Sequence, residues 1–408
     1  MPHDRIEEIL LSQVRDLDRA GTRKGRESVI SAVIPPRDGK GPRFLLEGHG
    51  DKPFLRMNSN SYLGLSFQNE VVAAEEEAVR GLGTGPGAVR FISGTWAPHV
   101  ALEGRLAAFH GRDGAMIFSS AYATVMGVLP PLITDGTAVI SDELNHNCII
   151  NAVRLARPAE KRVYRHLDIK ELEENLEDVS KTCRRGIVVT DGIFSMRGDH
   201  APLHEIMDLA RKYDAAFAEN VLVIVDDSHG VGAFGATGRG AEEYTGASEV
   251  DLLVATLGKA FGVNGGYVVA SGGIIDYLRE TSPFYIYSNP ITPGEAVAAR
   301  KAVDIVDSPH GLRLLEHLRA MTARFKAGLE NLGFETIPGE HPVVPLMVRD
   351  TARTSALVGH LREHGVLATG LNYPVVPRGD EEIRFQISAD HTTLDVEEAL
   401  DVLNEFPG

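Results

Sequence analysis

Long apolar runs are missing from this chain. No window approaches the roughly 18 consecutive apolar residues of a membrane-crossing helix, so no such span is expected and a membrane is not an expected partner. The opening run, from Met1 to Glu8, is polar and lacks the apolar core of a secretory signal. Cysteine is scarce. Cys148 and Cys183 make no disulfide framework and sit in no metal-ligand spacing, so both are expected to be reduced thiols in a cytoplasmic protein, with no metal site. Positive charge is in deficit: 41 Lys and Arg stand against 57 Asp and Glu, for a net charge of −16. A field of that sign argues against nucleic-acid partners. The basic run Arg19, Arg23, Lys24 and Arg26 reads either as a pocket for a phosphorylated ligand or, more ordinarily, as the solvated face of a helix.

What is present is enough apolar material for a large core, 43% of 408 residues, in a chain too long for one small domain. Residues 1–20 carry apolar positions at helical spacing (Ile6, Ile9, Leu10, Val14, Leu17). A Gly-Pro-Arg-rich connection with a short hairpin near Phe44 follows over 35–53. From there to about 290 short apolar runs alternate with helical segments. The runs 115–118, 138–141, 186–190, 221–225, 252–255 and 266–270 read as strands; helices are expected near 70–82, 99–111, 121–131, 168–179 and 203–213. Near-continuously apolar strands separated by helices indicate an α/β fold with a mostly parallel sheet covered on both faces. One long helical stretch, 292–331, then leads to a smaller α+β region. The expected division is 1–56 as an N-terminal helix and arm, 57–291 as a large domain, and 292–408 as a small one.

Ligands of such sheets bind beyond the carboxyl ends of the strands. Polar residues follow one strand end after another: Ser119-Ser120, Asp142 to His146, Asp191 to Ser195, Asp226 to His229, and Thr256 to Lys259. Lys259 supplies an amine able to form a Schiff base, and Asp226, 33 residues earlier, a carboxylate able to hold a pyridinium nitrogen. Pyridoxal 5'-phosphate (PLP) needs both. His229 is placed to meet the phenolic oxygen of that cofactor and His146 to stack on its ring. The phosphate would lie on the backbone amides and hydroxyls where Ser120, Ala121 and Tyr122 open a helix, with Thr256 beside them. Two competing motifs are weaker. Gly230-Val-Gly232-Ala-Phe-Gly235 matches a dinucleotide turn, but Ala-Thr-Gly238-Arg-Gly240 is a poor start for the helix that turn requires. Asp226-Asp227-Ser-His229 has no further ligand cluster to make a metal site.

Seven ordered runs carry a family resemblance. They are Asn58 to Leu65, Gly85 to Thr95 followed by His99 and Leu102-Glu103, Ser141 to His146, Thr190 to Met196, Asp226 to Gly232, Thr256 to Ala260, and Ile383-Arg384 with Ser388 to Thr392. The chain resembles the α-oxoamine synthases, acyltransferases of the type I, aspartate-aminotransferase-like PLP fold, over about residues 55–395. Within the family, Thr369-Gly370 and Tyr373 to Pro377 are most similar to glycine C-acetyltransferase (2-amino-3-ketobutyrate CoA ligase). The resemblance implies a PLP-dependent condensation of a small amino acid, glycine first, with an acyl-CoA, acetyl-CoA first. Lys259 would hold the cofactor covalently as an aldimine and then act as the base at Cα, giving a quinonoid. Arg384, with Asn60 and Ser195, would bind the substrate carboxylate. Ser288 would reach the cofactor phosphate of a partner subunit, which implies a homodimer with shared active sites. The alternatives are an aminotransferase or other PLP reaction on the same fold, or a silent PLP-binding regulator. Three features depart from the family pattern: Val125 in place of an asparagine, Arg197 in place of an acidic residue, and an apparent insertion at 215–220.

Overall fold

The computed structural model describes residues 3–19, 23, 25–247, 249–373 and 375–407. The apolar runs join into one sheet: β1 (Gly114–Phe118), β2 (Thr137–Asp142), β3 (Glu160–Tyr164), β4 (Arg185–Asp191), β5 (Val221–Asp226), β6 (Leu252–Thr256) and β7 (Gly266–Ala270). Their spatial order is β1-β7-β6-β5-β4-β2-β3. β7 runs antiparallel to both of its neighbours, and the other pairs are parallel. Side chains alternate between two buried faces: Val223, Val225, Leu253 and Ala255 enter one core, and Ile224, Leu252 and Val254 the other. The register sets Asp191 directly opposite Asp226. All the strand-end residues of interest therefore emerge along one edge.

Six strands and five helices lie where the sequence pattern puts them. β3 was not expected. It is a charged edge strand, Glu-Lys-Arg-Val-Tyr, with only Tyr164 buried, so it carries little of the apolar signal used to find strands. The helices Asn147–Ala156 and Gly272–Thr281 were also passed over, each being short. The expected single helix over 292–331 is two, Pro293–Val306 and Pro309–Asn331. Ser308 Oγ accepts from the His310 and Gly311 amides, and Pro309 occupies the first turn, so a new helix starts there. Pro293–Val306 packs against Asn69–Leu82 and Ala97–His110, on the side of the large sheet. We propose that the two parts of the chain divide near Ser308.

The C-terminal part is a four-stranded antiparallel sheet ordered Glu335–Thr336, Val343–Met347, Glu382–Gln386, Thr369–Leu371. The N-terminal arm joins it through Leu55–Arg56, which pairs with Val366–Leu367. Ahead of the arm, the helix Asp4–Arg19 buries none of its residues against this chain. Arg19 pairs with Asp16 and Arg23 with Asp18 on an exposed surface, the ordinary reading of that basic run; Lys24 lies outside the described residues. The apparent insertion at 215–220 is a surface turn pinned by the buried Phe217 and by the Arg185–Glu219 ion pair.

Candidate active site

Lys259 sits in the tight connection between β6 and β7. Thr256 Oγ1 accepts the Gly258 amide and donates to the Gly265 carbonyl, closing the turn around it. Gly262, at φ +70°, brings this connection against the backbone of Ser66, where a Cβ would lie 2.5 Å from the Ser66 amide nitrogen. Burial lowers the Lys259 amine to about 8, against the pull of Asp226 and Asp191. An amine brought that far down is a nucleophile and a base near neutral pH.

One cavity takes in Lys259, Asp226, His229, His146, Cys148, Asp191, Ser195, Ser228, Ala121 and Tyr122. Asp226 Oδ1 accepts the Ser228 amide at 3.1 Å, and Cys148 Sγ lies 3.6 Å from Oδ2. His229 is buried, with Nδ1 2.7 Å from the hydroxyl of buried Tyr62. Burial, with Lys259 and Arg384 nearby, drives its pKa well down, so the ring is neutral. His146 opens the helix Asn147–Ala156, its ring accepting the Cys148 amide and its own amide donating to Asp191. Ser120 caps the helix Ala121–Leu132 through the Ala123 amide. That leaves the free amides of a helix N-terminus at the cavity wall.

Arg384 comes from the other sheet. It is 9% exposed and donates to Asn60 Oδ1 at 2.8 Å; among the described residues no carboxylate ion-pairs with it. Arg384 is thus neither at the surface nor in a salt bridge with any described residue. Buried guanidinium without a counter-ion is costly unless an anion arrives. The Gln386 amide also lies against this guanidinium; with its oxygen turned toward Arg384 it accepts from Nε at 3.0 Å, so two amide side chains hold the arginine.

Most of the expected site residues thus converge. Ser288 does not: it is half-buried between exposed neighbours, with its hydroxyl 3.5 Å from the Asn289 carbonyl, and is absent from the walls of the Lys259 cavity. Val125 lies behind Asp226 in an apolar pocket with Ile149, Ile224 and Val254. Arg197 pairs with Asp199 at 2.7 Å on the rim of a second cavity. The glycine run 230–235 opens no helix; it folds back through a Val231–Arg239 bridge, and the buried Asp227 accepts the Ala241 amide to hold the loop. Among the described residues no His, Cys, Asp and Glu cluster suits a metal ion. Sequence reasoning gave no role to Tyr62, Cys148, Asp191 or His341. Tyr62 and Asp191 stood inside quoted runs, whereas His341, whose ring meets the His229 carbonyl at 3.0 Å, had no motif around it.

The cavity's chemistry fits PLP. Among the described residues Asp191 Oδ1 and Ser228 Oγ are buried without partners, a low-pKa amine faces a carboxylate, and the helix opened by Ser120 presents its first-turn amides to a phosphate. Similarity to known proteins agrees. The family model for class I and II aminotransferases matches residues 52–403. An 8-amino-7-oxononanoate synthase of Thermosipho melanesiensis is 39% identical over 86% of this chain and 87% of its own. The mitochondrial 2-amino-3-ketobutyrate coenzyme A ligase of Bos taurus is 37% identical over 97% of this chain and 91% of its own. Among solved structures, a serine palmitoyltransferase of S. paucimobilis, with PLP and myriocin bound, superposes with a TM-score of 0.86 at 26% identity, covering 99% of this chain and 96% of that one. Taken with the Lys259 cavity, these matches mean that the chain belongs to the class I and II aminotransferase family, within its α-oxoamine synthase branch.

Proposed function

We propose that this protein is a PLP-dependent acyltransferase that joins a small amino acid to the acyl group of an acyl-CoA. One observation carries the reading: an amine of lowered pKa faces Asp226 in a cavity that a buried Arg384, without an ion pair among the described residues, approaches from the other sheet. PLP, when bound, supplies an electron sink for charge developing at the amino acid Cα.

The chain's own residues do the rest. Lys259 would hold the cofactor through its amine and would take the substrate Cα proton on Nζ. Asp226 accepts the ring N–H and keeps that nitrogen cationic; Cys148 stands against the same carboxylate. His146, on the same cavity wall, would stack on the ring. His229, oriented by Tyr62, faces the phenolic oxygen. Ala121 and Tyr122 amides, with Ser120 and Thr256, take the phosphate. Arg384, steadied by Asn60 and joined by Ser195, fixes the substrate carboxylate, which sets the orientation of Cα.

A homodimer with shared sites is part of this reading. Phe91 and Ile92 are 64% and 63% exposed, Tyr287 beside Ser288 is 78% exposed, and the apolar face of Asp4–Arg19 is uncovered. A cytoplasmic location suits two unbridged cysteines. Glycine with acetyl-CoA is the first pair to test, because Thr369-Gly370 and Tyr373 to Pro377 resemble the coenzyme A ligases; oxononanoate synthases match as much of the chain, so a longer acyl-CoA is the second. The test is release of free coenzyme A thiol by the PLP-loaded protein, dependent on the amino acid. Amino transfer to a keto acid without thiol release would overturn the proposal in favour of an aminotransferase.

A further inference from the structure

Beside the Lys259 cavity, and sharing Ser195 with it, lies a second cavity of about 260 Å³. That is roughly the space of eight or nine waters, more than the hydrogen of glycine or the methyl of an acetyl group fills. Its walls are mainly apolar: Phe194, Met196, Met347 and Val376. Four charged residues reach it, and three are already engaged. Glu143 accepts the His166 amide at 2.8 Å, Arg197 pairs with Asp199 at 2.7 Å, and Asp380 lies 3.6 Å from Arg349. The fourth, Glu382, is 2% exposed, and its Oε1 has no hydrogen-bond partner among the described residues.

Glu382 stands two residues before Arg384 on the same strand, so the two side chains share one face. One reads the carboxylate that every amino acid carries; the other stands on a wall that the common part of the substrate does not account for. A buried carboxyl oxygen with no partner destabilises the fold and is retained where a bound group completes it. We infer that Glu382 is a specificity-determining residue: it accepts a hydrogen bond from an N–H or O–H at the end of a short apolar chain on one of the two substrates. Burial pushes the free carboxyl up to about 8, so the empty cavity holds it mostly as the neutral acid at neutral pH. Two sources would deliver this chemistry, the side chain of the amino acid or the acyl chain of the thioester.

The inference rests on the acyltransfer reading, and the experiment separates the two. One arm measures amino acid binding to the PLP-loaded enzyme by its visible difference spectrum, comparing ornithine with norleucine, which replaces the terminal ammonium by a methyl. The other measures thiol release from 4-hydroxybutyryl-CoA against pentanoyl-CoA. In at least one arm the donor-bearing member is favoured, and Glu382→Leu cuts that preference about ten-fold or more, whereas Glu382→Gln, which keeps an acceptor oxygen, largely retains it. The arm that responds identifies the source. Thermal melting of the cofactor-free protein adds a readout independent of turnover: Glu382→Leu melts no lower than the parent if the carboxyl is an orphan. Equal preference in both arms, unchanged by Glu382→Leu, overturns the inference, as does a lowered melting temperature, which would make Glu382 structural. Absence of thiol release in every arm would sink acyltransfer alone, because the amino acid arm reads binding.

Discussion

The two walls of the site are built differently. The wall formed by Lys259, Asp226, His229 and His146 hangs on neighbouring strand ends of one sheet. Its main groups are held by their own surroundings: Asp226 by the Ser228 amide, His229 by Tyr62, His146 by Cys148 and Asp191. The opposite wall, Arg384 and Glu382, comes from another sheet and is left electrically incomplete. Among the described residues Arg384 forms no close ion pair, feeling Glu382 only at a distance, and Glu382 Oε1 has no donor. The first wall is pre-organised for a resident cofactor; the second keeps its charges open for whatever arrives. On the proposed function, chemistry and selectivity would be carried by separate parts of the fold.

Substitutions in each wall should therefore fail in different ways. Lys259→Ala should have the largest effect, lowering turnover by at least about 10⁴-fold and abolishing covalent retention of PLP. Steady-state rates and gel filtration of the coloured protein check this. Arg384→Leu should weaken amino acid binding by about 10²-fold to 10³-fold, the loss of a buried charge-assisted pair, while leaving the visible spectrum of the resting enzyme intact. A changed resting spectrum would show that the two walls are not separable.

Glu382 sharpens the contrast through pH. Its carboxyl is raised in the folded protein from 4.5 to about 8, with burial the main cause and Arg384 and Arg197 opposing it. Between those values the unfolded chain has released this proton and the folded chain has not, so Glu382 makes stability fall as pH rises across that window. Its contribution is on the order of 2–5 kcal/mol. Denaturant melts of the cofactor-free protein from about pH 5 to pH 8 should show a shallower decline in Glu382→Gln than in the parent. The smallest effect is expected at Tyr62→Phe, which removes the hydroxyl 2.7 Å from His229 Nδ1. About 1–2 kcal/mol is at stake, read as a fall in kcat of about ten-fold with little change in amino acid affinity.

The same contrast explains what the sequence made legible. Lys259, Asp226, His146 and the Ser120 turn each follow an apolar run, so one rule about strand ends finds them all. β1, β2 and β4 to β7 were readable because strands buried on both faces are almost wholly apolar. β3 was not, because an edge strand needs only Tyr164 inside. The break at Asp307-Ser308-Pro309 carried a readable Ser-Pro start that helical periodicity on either side obscured. Arg384 was reached through family resemblance rather than periodicity. Glu382, His341 and Tyr62 owe their places to packing between distant segments, and no local pattern encodes that. Cys148 looked like an inert thiol until the fold brought it to Asp226.

The central claim is that one amine, and no other, carries the cofactor. Borohydride reduction of the PLP-loaded protein followed by peptide mass spectrometry tests it directly. The account predicts a single pyridoxyl group on the peptide containing Thr256-Leu-Gly-Lys259. Reduction that labels a different lysine, or labels none while the protein stays active, would contradict it.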